Sequence, residues 1–201
     1  MDESANPWLT PTIPETEGAD PVTPEPDTPR MTGPQQPQYG VPVPVESDRL
    51  PRRRVAQHAP MWWLGVHGGA GETTLARLTS WTAAADHAWP ELVTTESLHR
   101  VRVVLVARTH ASGLRSAQLA ATEWASGAVQ NVDLLGLVLV ADAPGRLPRP
   151  LKDMAKIVTG GVPRTWRVPW IEAWRLGEEP NLDSSPRAVR AMVSDLNALL
   201  Q

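Results

Sequence analysis

The stretch that decides the fold runs from Trp62 to Thr74: Trp62-Trp63-Leu64-Gly65-Val66, then His67-Gly68-Gly69-Ala70-Gly71, then Glu72-Thr73-Thr74. A nearly unbroken apolar run makes a short buried strand, and the glycines directly after it make a loop whose backbone can approach another group closely. A helix is expected over residues 73–85, with Leu75, Leu78 and Trp81 at helical spacing. Strand, glycine-rich loop and helix in that order are the physical plan of a phosphate-binding loop. Small residues let N–H groups curl around an anion, and the helix N-terminus adds partial positive charge.

Working downstream, residues 101–107 are strongly β-branched and predict a central strand. Ser112 is placed to cap a helix running to about Ser126 that carries Leu114, Ala117, Leu119, Ala120 and Trp124. Residues 134–141 form a third apolar run, too short for an isolated helix, with a turn at Asp142-Ala143-Pro144-Gly145 behind it. A helix over residues 150–158, a fourth strand at Trp166-Arg167-Val168, and helices over 170–176 and 185–200 complete the pattern. Strands alternating with helices predict an α/β fold, a mostly parallel sheet with helices on both faces. Ligands of such sheets sit beyond the carboxyl ends of the strands, where the glycine loop falls.

Upstream the composition changes. More than half of the 21 prolines fall between Pro7 and Pro51, and every charged side chain from Asp2 to Asp27 is acidic. Such a segment has too little apolar surface to offset the entropy of ordering, so residues 1–54 are expected as a disordered, partly polyproline tail and residues 55–201 as the folded domain. Trp8, Leu9 and Ile13 form an apolar island in the tail, readable as chance composition or as a short docking motif. Arg49, Arg52, Arg53 and Arg54 make a basic knot at its end. Such a knot is either solvated or laid against acidic surface, with contact to nucleic-acid phosphates or anionic lipid as the alternative.

Several function classes drop out on composition. The chain has no cysteine, which excludes disulfides, thiolate metal sites and a cysteine nucleophile. The five histidines lack metal-ligand spacing, and there is no Gly-x-Ser-x-Gly elbow. Net charge is -3, and what remains without the acidic stretch is too mildly basic to announce nucleic acid. No segment approaches the ~20 apolar residues of a membrane helix, and the N-terminus lacks a signal-peptide pattern, so a cytoplasmic protein is expected.

Residues 68–74 resemble the deviant Walker A motif of the ParA/MinD family, within the SIMIBI class of P-loop NTPases, which reads Lys-Gly-Gly-x-Gly-Lys-Thr-Thr. Gly68, Gly69, Gly71, Thr73 and Thr74 match it, whereas His67 stands at the first lysine and Glu72 at the second. Residues 103–106 with Ser112-Gly113-Leu114 resemble that family's late strand and the helix behind it. Leu135-Gly136-Leu137-Val138-Leu139 resembles the strand leading to its base-recognition loop. Val168-Pro169-Trp170, with Glu172-Ala173 and Gly177, is similar to its closing segment. A strand ending in a Walker B aspartate is missing: residues 86–100 offer Asp86, Glu91 and Glu96, with no clear apolar strand before any of them. The whole pattern also resembles an uncharacterised actinobacterial family associated with mobile elements, which implies a setting in plasmid or conjugation biology.

What the resemblance implies is limited by charge. A carboxylate ~4 Å from a phosphate oxygen costs about 4 kcal/mol at an effective dielectric of about 20, before the lost lysine is counted. A non-hydrolysing, partner-binding domain is therefore expected, with no cofactor, and with nonspecific DNA or a homodimer as further options for its partners. The alternative is a nucleotide switch or weak NTPase for Mg-ATP or Mg-GTP, in which another cation such as Arg108 replaces the lysine. Glu72 itself either fills the anion hole or points to solvent. Arg108, Thr109 and His110 read either as the lining of a cleft or as an exposed polar loop, and Asp142 reads either as a base-pairing carboxylate in that cleft or as part of a turn. Most of the nine tryptophans read as core or partly buried packing; Trp166, Trp170 and Trp174, four residues apart, read alternatively as an exposed stripe, which Pro169 interrupts.

Overall fold

The computed structural model describes residues 33–56, 59–93 and 100–201. Most of the expected acidic tail, with Trp8, Leu9 and Ile13, lies outside the described residues, as does Glu96. The elements in chain order are β1 (Arg52–Val55), β2 (Met61–Gly65), α1 (Glu72–Leu78), β3 (Thr82–Ala84), β4 (Trp89–Leu92), β5 (Val101–Arg108), α2 (Ala111–Ala125), β6 (Val132–Val140), α3 (Arg149–Gly160), β7 (Thr165–Val168), α4 (Glu172–Arg175) and α5 (Arg187–Leu200). Five strands form one sheet in the order β3-β2-β5-β6-β7, every neighbouring pair parallel. The fold is α/β, as the alternation of apolar runs predicts.

Both faces of that sheet are covered, which is why its strands read as continuous apolar runs rather than alternating ones. Successive side chains still alternate between faces. Trp62, Leu64, Val103, Leu105, Leu137 and Leu139 pack against α2 and α3 through Leu114, Ala117, Trp124, Ala155 and Val158. Met61, Trp63, Val104, Val106, Val138 and Trp166 pack on the other face against Leu75 of α1 and Val189, Met192 and Leu196 of α5. A slip of one residue in β2 would exchange these two sets, so the packing fixes the register.

The structure corrects the sequence in several places. The helix expected to reach residue 85 ends at Leu78, where Thr79 turns extended (φ -136°). Its hydroxyl lies 2.6 Å from that of Thr82, which also accepts from the Trp63 indole at 2.9 Å. These side-chain bonds hold a turn that helical spacing alone does not reveal. The chain then forms β3, so a strand does precede Asp86, but its Thr-Ala-Ala sequence carries no apolar signal. Two strands were invisible for a similar reason: arginine-rich β1 and Pro90-containing β4 pair in parallel as a separate ribbon. The folded part thus extends upstream of residue 55, and Val41 and Leu50 also pack on the core. The cap of α2 is His110, whose side chain accepts from the Gly113 N–H, in place of Ser112. Trp166 is buried in the sheet and Trp174 packs partly buried on the second core face, so no tryptophan stripe forms.

Candidate functional site

From β2 the chain moves outward to β3, while β5 lies on the other side of β2. The carboxyl ends of β2 and β5 therefore flank a topological switch point, the place where open α/β sheets bind ligands. The loop from His67 to Gly71 lies there and meets the residues that end β5.

Two contacts tie the loop down. The backbone N–H of Arg108 donates to His67 Nε2 at 3.0 Å, and His67 Nδ1 lies 2.9 Å from the Gly68 carbonyl. Nε2 must accept and Nδ1 must donate, so the ring is neutral in this geometry. Burial holds its pKa below the ordinary histidine value, and the neighbouring His110, His87 and Arg108 press in the same direction, against the contact with the Gly68 backbone. The guanidinium of Arg108 crosses the loop, donating to the Gly69 carbonyl at 3.2 Å and to the Ala141 carbonyl at 3.1 Å. The His67 and His110 rings stack obliquely, 4.9 Å between centroids.

Glu72 is buried at 4% exposure, so it does not point to solvent. Its Oε2 accepts from the Gly65 N–H at 2.6 Å, and its Oε1 lies 3.1 Å from His87 Nδ1. The same His87 nitrogen is 2.9 Å from the Gly65 carbonyl. Both of those oxygens are acceptors, so Nδ1 carries the proton and bridges them. Gly65 leaves room for this contact: a Cβ on it would lie 2.9 Å from His87 Nδ1 and 3.0 Å from the Glu72 carboxyl carbon, and both side chains would have to shift. The carboxylate thus grips the end of β2, and no bond from the loop N–H groups of residues 67–71 reaches it. It is neither the solvent-facing residue nor the phosphate substitute of the sequence alternatives.

The side chain directly after the glycine loop is a buried acid, and Asp86, which follows β3, is held by Arg53 at 2.7 Å. Among the described residues no group of three or more His, Asp and Glu is arranged to hold a metal ion.

Beside the loop, across β5, β6 and β7, lies a cavity of about 470 Å³. Leu139, Leu147, Leu151, Val168 and Pro169 give it an apolar wall, and His110, Asp142, Arg146 and Arg167 bring polar groups to it. Thr109 is buried at its edge, where its hydroxyl accepts from the Asp142 N–H at 3.2 Å. Of the expected cleft residues, Thr109, His110 and Asp142 line this cavity and Arg108 serves the loop. Asp142 is exposed in the turn between β6 and α3.

Two arginines of the basic knot are laid against acids. Arg52 pairs with Glu123 at 3.2 Å, Arg53 with Asp86 at 2.7 Å, and Arg49 donates to the Pro44 carbonyl at 2.7 Å. Glu123 is fully buried and also accepts from the Trp89 indole at 2.9 Å and the Leu50 N–H at 3.2 Å. Sequence reasoning missed Glu123 and His87. Glu123 sits inside a helix with no motif, and His87 is marked by a left-handed backbone (φ 57°) that no residue pattern announces.

The chain belongs to DUF6668, a family of unknown function, which it matches over residues 59–193, more than half of its length. No curated protein and no solved structure matches it. Among the described residues no helix is long and apolar enough to cross a membrane.

Proposed function

We propose that this DUF6668 member is a non-hydrolysing, ParA/MinD-like P-loop domain that acts by binding a protein partner, in a plasmid or conjugation setting. The observation that carries this reading is Glu72. Where a phosphate-binding loop needs a lysine, the chain has a carboxylate buried against the Gly65 N–H. Removing that positive charge costs the electrostatic stabilisation on which phosphoryl transfer depends. The loop is braced instead by bonds within the protein, from Arg108 to Gly69 and to His67. A braced loop without a phosphate-binding cation is suited to holding a surface in shape.

A second reading is favoured by one observation: the Arg108 guanidinium lies across the glycine loop and is only half-buried. In a nucleotide switch it would exchange the Gly69 carbonyl for a phosphate oxygen. Calorimetric titration of Mg-ATP and Mg-GTP into the full chain separates the two. Absence of binding up to about 1 mM, a free energy near -4 kcal/mol, supports the first reading. Micromolar binding that Arg108→Ala abolishes overturns it in favour of the second.

A further inference from the structure

The cavity beside the loop is bordered by cations that make no ion pair among the described residues. Arg146 and Arg167 line it. Arg149, Lys152 and Lys156 continue from it along α3 at i, i+3 and i+7, one face of the helix, with Asp153 as the one acid of that helix. None of these five cations makes an ion pair among the described residues. The opposite charge is in the first 32 residues, whose side chains carry seven acids and a single base, Arg30.

The described chain begins where those residues would need to enter. A Cβ on Gly33 would lie 2.5 Å from the Gly160 carbonyl oxygen and 2.6 Å from that of Val162, so Gly33 is pressed against the far end of α3. The Gln38 N–H, donating to the Ala125 carbonyl at 2.7 Å, pins the same segment to α2. From that anchor to the cavity is one length of α3, about 18 Å for its twelve residues. Trp8, Leu9 and Ile13 lie 20 to 25 residues upstream of Gly33. A flexible chain of about 20 residues has a root-mean-square span of ~25 Å, so the reach is sufficient.

We propose that the tail docks on its own domain: Trp8, Leu9 and Ile13 fill the apolar cavity, and the acids of residues 15–27 lie along Lys156, Lys152 and Arg149. An apolar anchor supplies the affinity and the charges supply direction. The tail then occupies the cavity until a partner displaces it. This rests on the cavity, the charge pattern and the anchor at Gly33, independently of any role of the glycine loop.

The absence of cysteine allows a clean test. A spin label on Ala5→Cys in the otherwise native, ¹⁵N-labelled full chain is expected to broaden the amides of Leu147, Leu151, Val168 and Ala188, and to leave those of β3 sharp. Trp8→Ala with Leu9→Ala, or Lys152→Glu with Lys156→Glu, is expected to reduce that broadening at least about threefold. Salt near 1 M, where the Debye length is about 3 Å, is expected to weaken it as well. Sharp cavity amides, or broadening that survives both double variants, overturns the proposal. Equal broadening when the label sits on unlabelled chains mixed with ¹⁵N wild type also overturns it, because the occupant is then a second copy.

Discussion

The backbone N–H of Arg108 donates to Nε2 of His67 across 3.0 Å, joining the end of β5 to the glycine loop through a ring that must be neutral. Protonation of Nε2 would turn this acceptor into a donor facing a donor. The loop and the central sheet are therefore coupled to pH at one atom.

The sign follows from burial. The folded state holds the His67 pKa below 6.5, its value in an unfolded chain, so the unfolded state takes up the proton first as pH falls. Stability from this site is complete above pH 6.5 and is lost as pH falls from there through the folded pKa. Thermal unfolding of wild type against His67→Gln, from pH 7.5 to 5 (values near the ~6.5 of ordinary histidine), is expected to show a shallower acid loss in the variant. Equal slopes would remove His67 from the pH response.

Glu72 yields a stability prediction that runs against its reading as a surface relic. Truncation by Glu72→Ala leaves the buried Gly65 N–H without its carboxylate partner, while the half-exposed His87 Nδ1 keeps the Gly65 carbonyl. The expected loss is about 1–3 kcal/mol, the cost of a buried unpaired donor. Urea denaturation measures it. A loss below about 0.5 kcal/mol, the range of ordinary surface substitutions, would falsify the gripping role.

Much of the fold was legible because the central strands are buried on both faces and so write long apolar runs into the sequence. Residues 101–107 and 134–141 differ from β5 and β6 by one or two residues at their ends. The missed strands lie at the periphery, where pairing is bought by partners distant in sequence: β1 is held by Glu123 and Asp86, β3 by its register against β2. The site was half legible for the same reason. Glycines and threonines announce the loop, but the direction of the Glu72 side chain depends on His87, and that contact exists only after β3 has turned the chain back.

Glu123 is the joint of the peripheral ribbon. Three donors converge on one buried carboxylate: the Trp89 indole of β4, the Leu50 N–H and the Arg52 guanidinium of β1. Glu123→Ala is expected to cost about 1–3 kcal/mol, because the buried Trp89 indole N–H is left unpaired, while Arg52 keeps the Ala128 carbonyl. Hydrogen exchange should speed up first in β1 and β4 while β5 and β6 remain protected. Uniform acceleration across the sheet would mean that the ribbon is no separate unit.

Two arginines of the knot carry structural contacts as well as charge. Arg52 and Arg53 are committed to Glu123 and Asp86, and Arg49 to the Pro44 carbonyl, which leaves Arg54 as the one of the four without such a bond among the described residues. One phosphate contact contributes a slope of about -0.9 in log K against log salt. If the chain binds duplex DNA at all, Arg54→Ala is expected to change that slope by no more than about one contact's worth. Arg52→Ala is expected instead to lower the unfolding midpoint, since it strips a buried carboxylate of its cation. Fluorescence anisotropy across a salt series, paired with thermal unfolding, reads both quantities. A slope that falls in Arg52→Ala at unchanged stability would show that the ion pair opens to bind phosphate, and the knot would then have to be treated as a surface held in reserve.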